Sequence, residues 1–421
     1  MADFIGSIGV NIHPTQPGYS ASNILQDLNY LGLGAVRSHA PGLSTTTLEY
    51  KTYQTLANAG IGFDLIAGSL KATILGLARF QTAHPGSILS IEGPNEVNNF
   101  PITYKGLTGT AAAVAYQAAL DANVHSQTAL AGVPVLNFTD NPITAGLSDG
   151  SNQHVYPHGG DQPLATVTAA YDQALATMPG EPVYFTETGY FSLPGHFSWE
   201  GVDLQTQAKL TLNLIMDDTQ LGVSMTYLYD LIDDGPDPKN KIQTDHFGLF
   251  SFGGAAKPVA VAIHDLTSIL ADTGANAKTF TSSPLNYTLK GLPADGDSLV
   301  LEKSSGVYDV VVWAEPDIWN ATTRKPIVAA AVPVTLSLTS GAARLTVFDP
   351  LASAVARDVV NGASVTVAVT DHPLIIQVSN FAAAMAQVNS SPPLAAASIA
   401  SAASAAGPTT LLAGRATVAG D

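Results

Sequence analysis

Ile8-Gly9-Val10-Asn11-Ile12-His13-Pro14 is the stretch on which the fold turns. Ile8–Ile12 reads as a short β-strand, and a helical pattern follows at Ser22–Leu31. In a doubly wound open sheet the first strand runs into a glycine-rich phosphate loop. Here the strand runs into Asn11-Ile12-His13-Pro14, which has no such loop. The same rhythm then recurs. Further strands are expected at Ala35–His39, Gly62–Ala67, Ile88–Glu92, Leu130–Leu136, Gln153–Tyr156, Pro182–Glu187 and Val223–Tyr229. Helical patterns fall at Thr46–Ala59, Ala72–Thr82, Thr110–Ser126, Leu164–Met178, Asp203–Gln220 and Pro258–Ala271. Gly62–Ala67 is an apolar run bounded by glycine, as a strand covered on both faces should be. Eight such strands over about 265 residues predict an α/β fold, a parallel (β/α)₈ TIM barrel, spanning 1–275.

Beyond residue 278 short alternating runs replace the rhythm. Asn286–Lys290, Ser298–Lys303, Val307–Ala314, Pro333–Leu338, Ala343–Val347, Ser364–Val369 and Leu374–Val378 are separated by Gly, Pro, Asn and Asp turns. They predict an all-β sandwich over 278–380. Trp313, in Val311-Val312-Trp313, is expected in its core, and Trp319, beside Asn320, is expected to be exposed. Residues 381–421 collapse to Ala, Ser, Pro, Thr and Gly, a low-complexity linker or disordered tail.

Seventeen Lys and Arg against 34 Asp and Glu leave a formal charge of −17. Such a surface repels phosphate backbones and anionic lipid, so neither nucleic acid nor a membrane is an expected partner. The absence of cysteine removes disulfides, thiolate metal sites and Cys nucleophiles. No basic and apolar leader opens the chain. Low charge and 37 glycines favour a secreted or extracellular bacterial protein, and a monomer is expected.

In a (β/α)₈ barrel the chemistry lies at the carboxyl ends of the strands. Strand four ends Ile91-Glu92-Gly93-Pro94-Asn95-Glu96, and strand seven ends Thr186-Glu187-Thr188. Strands four and seven face each other across the mouth, so Glu96 and Glu187 are set for glycoside cleavage by two carboxylates. Arg37 and His39 share one face of strand two, and Asn11 and His13 share one face at the end of strand one. For Arg37 a structural ion pair and a role at the site are both open. For Asn11 and His13 a polar rim and a substrate contact are both open. Glu92 reads as a structural partner of Arg37.

The Asn95-Glu96 pair closing strand four, with Glu187 closing strand seven, resembles the signature of clan A retaining glycoside hydrolases. The sandwich is similar to those appended to family 39-like members. The resemblance implies that Glu96 is the acid/base, Glu187 the nucleophile and Asn95 the partner of the sugar 2-hydroxyl. It implies that Arg37 supports the nucleophile. It also implies that Tyr156, in His154-Val155-Tyr156, contacts the nucleophile, with His154 orienting its neighbours. Tyr229 stands where many clan members place a stacking Trp. The loop bearing Trp199 is read either as a sugar platform or as a small cluster of its own. Asp230, Asp233, Asp234 and Asp237 lack the spacing of a calcium loop and read as a solvated acidic loop. No metal or other cofactor is expected. The implied activity is retaining cleavage of a carbohydrate oligomer or polymer. The alternatives are transglycosylation, or a carbohydrate-binding surface protein on a retired barrel. A retaining pair should stand about 5–5.5 Å apart, with Glu96 the drier carboxyl.

Overall fold

A computed structural model describes residues 1–68, 70–139, 147–195, 201–339 and 341–379. Its first half is built on eight parallel strands: β1 (Ile8–Asn11), β2 (Ala35–His39), β3 (Gly62–Ile66), β4 (Ile88–Glu92), β5 (Val135–Leu136), β6 (Ser151–Val155), β7 (Val183–Thr188) and β8 (Met225–Leu228). Their order is β5-β4-β3-β2-β1-β8-β7-β6. A parallel bridge between Leu136 and Gly150 joins the two ends of this order, which closes the sheet on itself. The result is the expected (β/α)₈ barrel. Strand five is shorter than expected, because Thr128–Leu130 winds into a 3₁₀ turn and pairing begins only at Val135.

The helices are α1 (Ala2–Gly6), α2 (Ala21–Leu31), α3 (Leu48–Asn58), α4 (Leu70–Ala83), α5 (Gly109–His125), α6 (Leu164–Thr177), α7 (Leu204–Leu221) and α8 (Pro258–Leu270). Local chemistry sets their ends. Ser20 caps α2 by accepting from the Asn23 N–H, and Asp203 caps α7 by accepting from the Thr206 N–H. Inside the barrel Gly9 makes room for an aromatic ring, since a Cβ there would stand 2.4 Å from Tyr227. Tyr227 therefore fills the interior, fully buried, one layer beneath the mouth.

The remainder forms the two antiparallel sheets expected of a sandwich, beside a short antiparallel ribbon of Trp319–Asn320 with Lys325–Pro326. Its strands are β9 (Tyr287–Lys290), β10 (Gly296–Glu302), β11 (Tyr308–Ala314), β12 (Val332–Leu338), β13 (Ala343–Asp349), β14 (Ser353–Gly362), β15 (Ser364–Val369) and β16 (Leu374–Ser379). One sheet has the order β9-β12-β15 and the other β10-β11-β16-β13-β14. Strand β14 has no counterpart among the expected strands, because most of its side chains face solvent and its sequence carries no apolar alternation.

The period of two in β11 explains how the sandwich meets the barrel. Val310, Val312 and Ala314 point into the sandwich core, whereas Val311 and Trp313 belong to the barrel's hydrophobic core. Trp313 donates from Nε1 to Asp217 of α7 at 3.1 Å. Lys209 of α7 pairs with Asp371 at 2.6 Å, and Asp371 in turn holds His372 at 2.8 Å. Residues 1–380 accordingly form one compact unit. Trp319 is buried, against expectation. Its ring lies against the Gly160 backbone, where a Cβ would stand 2.5 Å from it. The Ala/Ser-rich stretch 381–421 lies outside the described residues.

Candidate active site

Strand register sets the floor of the site. Asn11 pairs with Arg37, and Arg37 pairs with Asp64, on neighbouring strands. Arg37 is fully buried and every guanidinium N–H is used. Its Nε and Nη2 grip both oxygens of Glu92. Nη1 donates to Asn11 at 2.9 Å and to Glu187 at 2.5 Å, and Nη2 donates to Asn95 at 2.7 Å. An arginine inside a barrel is tolerated only when its charge is matched in this way. One side chain thus performs both roles left open by the sequence: it is an ion-pair partner for Glu92 and a support for Glu187.

Below it lies a buried polar set. Asn152 donates to Glu92 at 2.8 Å and accepts from Thr186 at 2.6 Å. Burial opposes charge on Glu92, but Arg37 outweighs it and holds this carboxyl down at about 2. Burial and the neighbouring Glu92 push Asp64 well up, so Asp64 keeps its proton beside Glu92. Sequence reasoning passed over Asp64. Its signal is a carboxylate in the middle of Gly62-Phe63-Asp64-Leu65, a strand buried at every position.

The two glutamates face one cleft of about 790 Å³. Glu187 sits within β7. Arg37 donates to one of its oxygens, and the Tyr156 hydroxyl donates to the other at 2.8 Å. Burial, with Glu187 alongside, keeps Tyr156 a phenol well above the ordinary range. Glu96 lies on the loop after β4 in the left-handed region, at φ 42°. That conformation costs a non-glycine residue about 1–3 kcal/mol and persists only where neighbours impose it. Here the Glu96 N–H donates to Thr139 at 2.8 Å, and its carbonyl accepts from the Asn99 and Phe100 N–H groups.

His154 stands between the two carboxyls. Its Nε2 lies 3.3 Å from Arg37 Nη2, which can only donate, so Nε2 accepts and the ring proton is on Nδ1. Nδ1 then donates to Glu96 at 2.9 Å and stands 3.5 Å from Glu187. One oxygen of Glu96, one of Glu187 and a His154 nitrogen all lie within 4.8 Å of one another. The expectation that Glu96 is the drier carboxyl is wrong: its side chain is 18% exposed and that of Glu187 is 11%. Glu187 belongs to a barrel strand, whereas Glu96 belongs to a loop. The hydrogen bond from His154 draws the Glu96 carboxyl below its ordinary range, against its partial burial.

Asn11, His13, Arg37, His39, Asn95, His154, Tyr156 and Tyr229 all line the same cleft. His39 stands at its exposed rim, and Tyr229 meets His13 edge-on at 5.6 Å. Trp199 lies outside the described residues. Asn99 and Phe100 are among the lining residues that went unnoticed in the sequence. Asn99 donates to Glu96 at 3.1 Å, and Phe100 presents its ring 63% exposed. Both lie within four residues of the Asn95-Glu96 pair.

The acidic loop after β8 is not solvated, contrary to expectation. Asp230 has no exposed surface. Asp233 pairs with Lys257 at 2.5 Å and accepts from the Gly248 N–H at 2.9 Å. Asp237 accepts from the Lys241 and Ile242 N–H groups and meets His246 at 3.1 Å. These carboxylates tie the loop together by local hydrogen bonds, which spacing alone does not reveal.

No family model and no curated protein matches this sequence. Solved structures do resemble it. A family 39 glycoside hydrolase from Bacteroides cellulosilyticus WH2 is 15% identical, with a TM-score of 0.55 over 90% of this chain and 82% of its own. A glucosidase from Croceicoccus marinus is 12% identical, with a TM-score of 0.59 over 88% of this chain and 95% of its own. At these identities the likeness is one of fold: a (β/α)₈ barrel continued by a β-sandwich. Among the described residues no helix is long and apolar enough to cross a membrane.

Proposed function

We propose that this protein is a retaining glycoside hydrolase acting on a carbohydrate oligomer or polymer. The observation that carries the reading is the pair of carboxylates in one cleft, with oxygens of Glu96 and Glu187 within 4.8 Å. That spacing suits direct attack on the sugar; an inverting pair stands about 6.5–9.5 Å apart to admit a water.

Glu187, held by Arg37 and Tyr156, attacks the anomeric carbon. Glu96 gives its proton to the departing glycosidic oxygen, and the C–O bond breaks as the glycosyl–Glu187 ester forms. Glu96, now a carboxylate, takes a proton from water. That water opens the ester and returns Glu187 as a carboxylate. Asn95, fixed by Arg37, offers its amide N–H groups to the sugar hydroxyl beside the reacting carbon. Substrate covering the partly exposed Glu96 removes water from it and so favours the protonated acid.

The test uses aryl glycosides and oligosaccharides. Glu187→Ala should abolish turnover, and azide should restore part of it with inverted product stereochemistry. Glu96→Ala should slow substrates with poor leaving groups far more than activated ones, which need no proton. Full activity in either variant would refute the assignment.

A further inference from the structure

His13, at the end of β1, and Asp230 and Asp234, after β8, converge beside the cleft. His13 Nε2 stands 3.6 Å from Asp230 Oδ2 and 4.0 Å from Asp234 Oδ1, and the three residues' atoms lie within 4.8 Å of one another. Asp230 is wholly buried, yet its Oδ1 has no hydrogen-bond partner among the described residues. The same holds for His13 Nε2, Asp234 Oδ1 and Gln16 Oε1. Two of the converging atoms, His13 Nε2 and Asp234 Oδ1, are thus buried without partners, which is costly unless something binds them.

The surroundings do not supply the missing charge. Tyr19 offers Asp230 a hydroxyl at 3.3 Å, and the nearby Lys257 ammonium is paired with Asp233 at 2.5 Å. An ion centred on a triangle with sides of 3.6, 4.0 and at most 4.8 Å stands about 2.0–2.5 Å from each atom, the range of metal–ligand bonds.

Among the described residues the two other clusters of this kind lack the orphaned atoms. Glu96, His154 and Glu187 are hydrogen-bonded as described. On the surface His125 pairs with Asp121 at 3.2 Å and with Asp149 at 3.3 Å.

We propose that His13, Asp230 and Asp234 bind a divalent cation of the zinc or manganese type, an imidazole and two carboxylates being its ordinary donors. Such an ion would fix the start of the β8 loop and the wall of the cleft at Tyr229. The proposal does not depend on the glycosidase reading.

Full-length protein is stripped with EDTA, dialysed against ZnCl₂ or MnCl₂ at pH 7, and assayed for bound metal and melting temperature. Uptake of one equivalent is expected, with a rise in melting temperature of about 3 °C at a hundredfold excess over Kd. Asp234→Asn and His13→Ala, each checked for native circular dichroism, should weaken uptake at least tenfold. His125→Ala and His154→Ala should leave it unchanged. Absence of uptake, or uptake that survives both Asp234→Asn and His13→Ala, would overturn the proposal. So would a melting temperature that responds to acid and not to metal, because a proton shared by Asp230 and Asp234 would then fill the gap.

Discussion

Substituting His154→Leu removes the hydrogen bond that holds Glu96 ionised while keeping most of the buried volume. His154 Nδ1 donates to Glu96 at 2.9 Å and is the largest cause drawing that carboxyl down. A hydrogen bond to a charged acceptor contributes about 1.5–3 kcal/mol. Glu96 is partly exposed and keeps its bond from Asn99, so the lower end applies, about 1.5 kcal/mol. One pH unit corresponds to about 1.36 kcal/mol. Loss of the donor raises the Glu96 carboxyl, and an acid that holds its proton longer stays active to higher pH. The alkaline limb of kcat/KM should therefore move up by about one pH unit. The assay is hydrolysis of a glycoside with a poor leaving group between pH 4 and 9, beside an activated aryl glycoside whose alkaline limb should barely respond. A limb that stays in place or moves down would refute the assignment of Glu96 as the acid and His154 as its donor.

Stability should peak in mild acid. Burial raises Asp217 to about 10, Asp218 to about 8 and Asp27 to about 6, so their contribution is full below the ordinary carboxylate range and is lost as pH climbs through those values. His372 is raised by Asp349 and Asp371 despite its burial, and its contribution is likewise lost as pH rises. Glu92 and Asp371, each at about 2, act oppositely and fail only in stronger acid. Calorimetric melting between pH 3 and 9 should show a maximum near pH 4–6; a maximum above pH 8 would contradict this. Trp313→Ala should cost about 3–5 kcal/mol in urea unfolding, because it empties the barrel–sandwich contact and strips Asp217 of a donor. Phe100→Ala should raise KM for oligosaccharides about tenfold, equivalent to ~1.5 kcal/mol of lost apolar contact, without changing the melting temperature. Unaltered oligosaccharide kinetics would remove Phe100 from the substrate's path.

What could be read in advance follows a physical line. The barrel strands are covered on both faces, so they appear as short apolar runs whose spacing is visible without coordinates. The glutamates at the ends of β4 and β7 inherit their places from that spacing. Strand β14 is exposed along most of its length and leaves no such trace. The burial of Trp319 depends on a glycine about 160 residues away, which its neighbours Pro316 and Asn320 do not announce. Asp64 and Asn152 matter through Glu92, and only strand register brings the three together. The dryness of the two glutamates was misjudged for a related reason: exposure depends on whether a strand or a loop carries the residue, and the motif is silent on that.

Strand β11 is a single ribbon with two allegiances, its even-numbered residues committed to one interior and Val311 and Trp313 to another. Ancestral shuffling that exchanged the sandwich for a foreign module would have left a wet tryptophan-sized hollow against α7. The replacement would have needed to bring its own plug. The barrel is therefore expected to have travelled through evolution with its companion as one heritable piece, and hybrid chains cut between them should fail at expression.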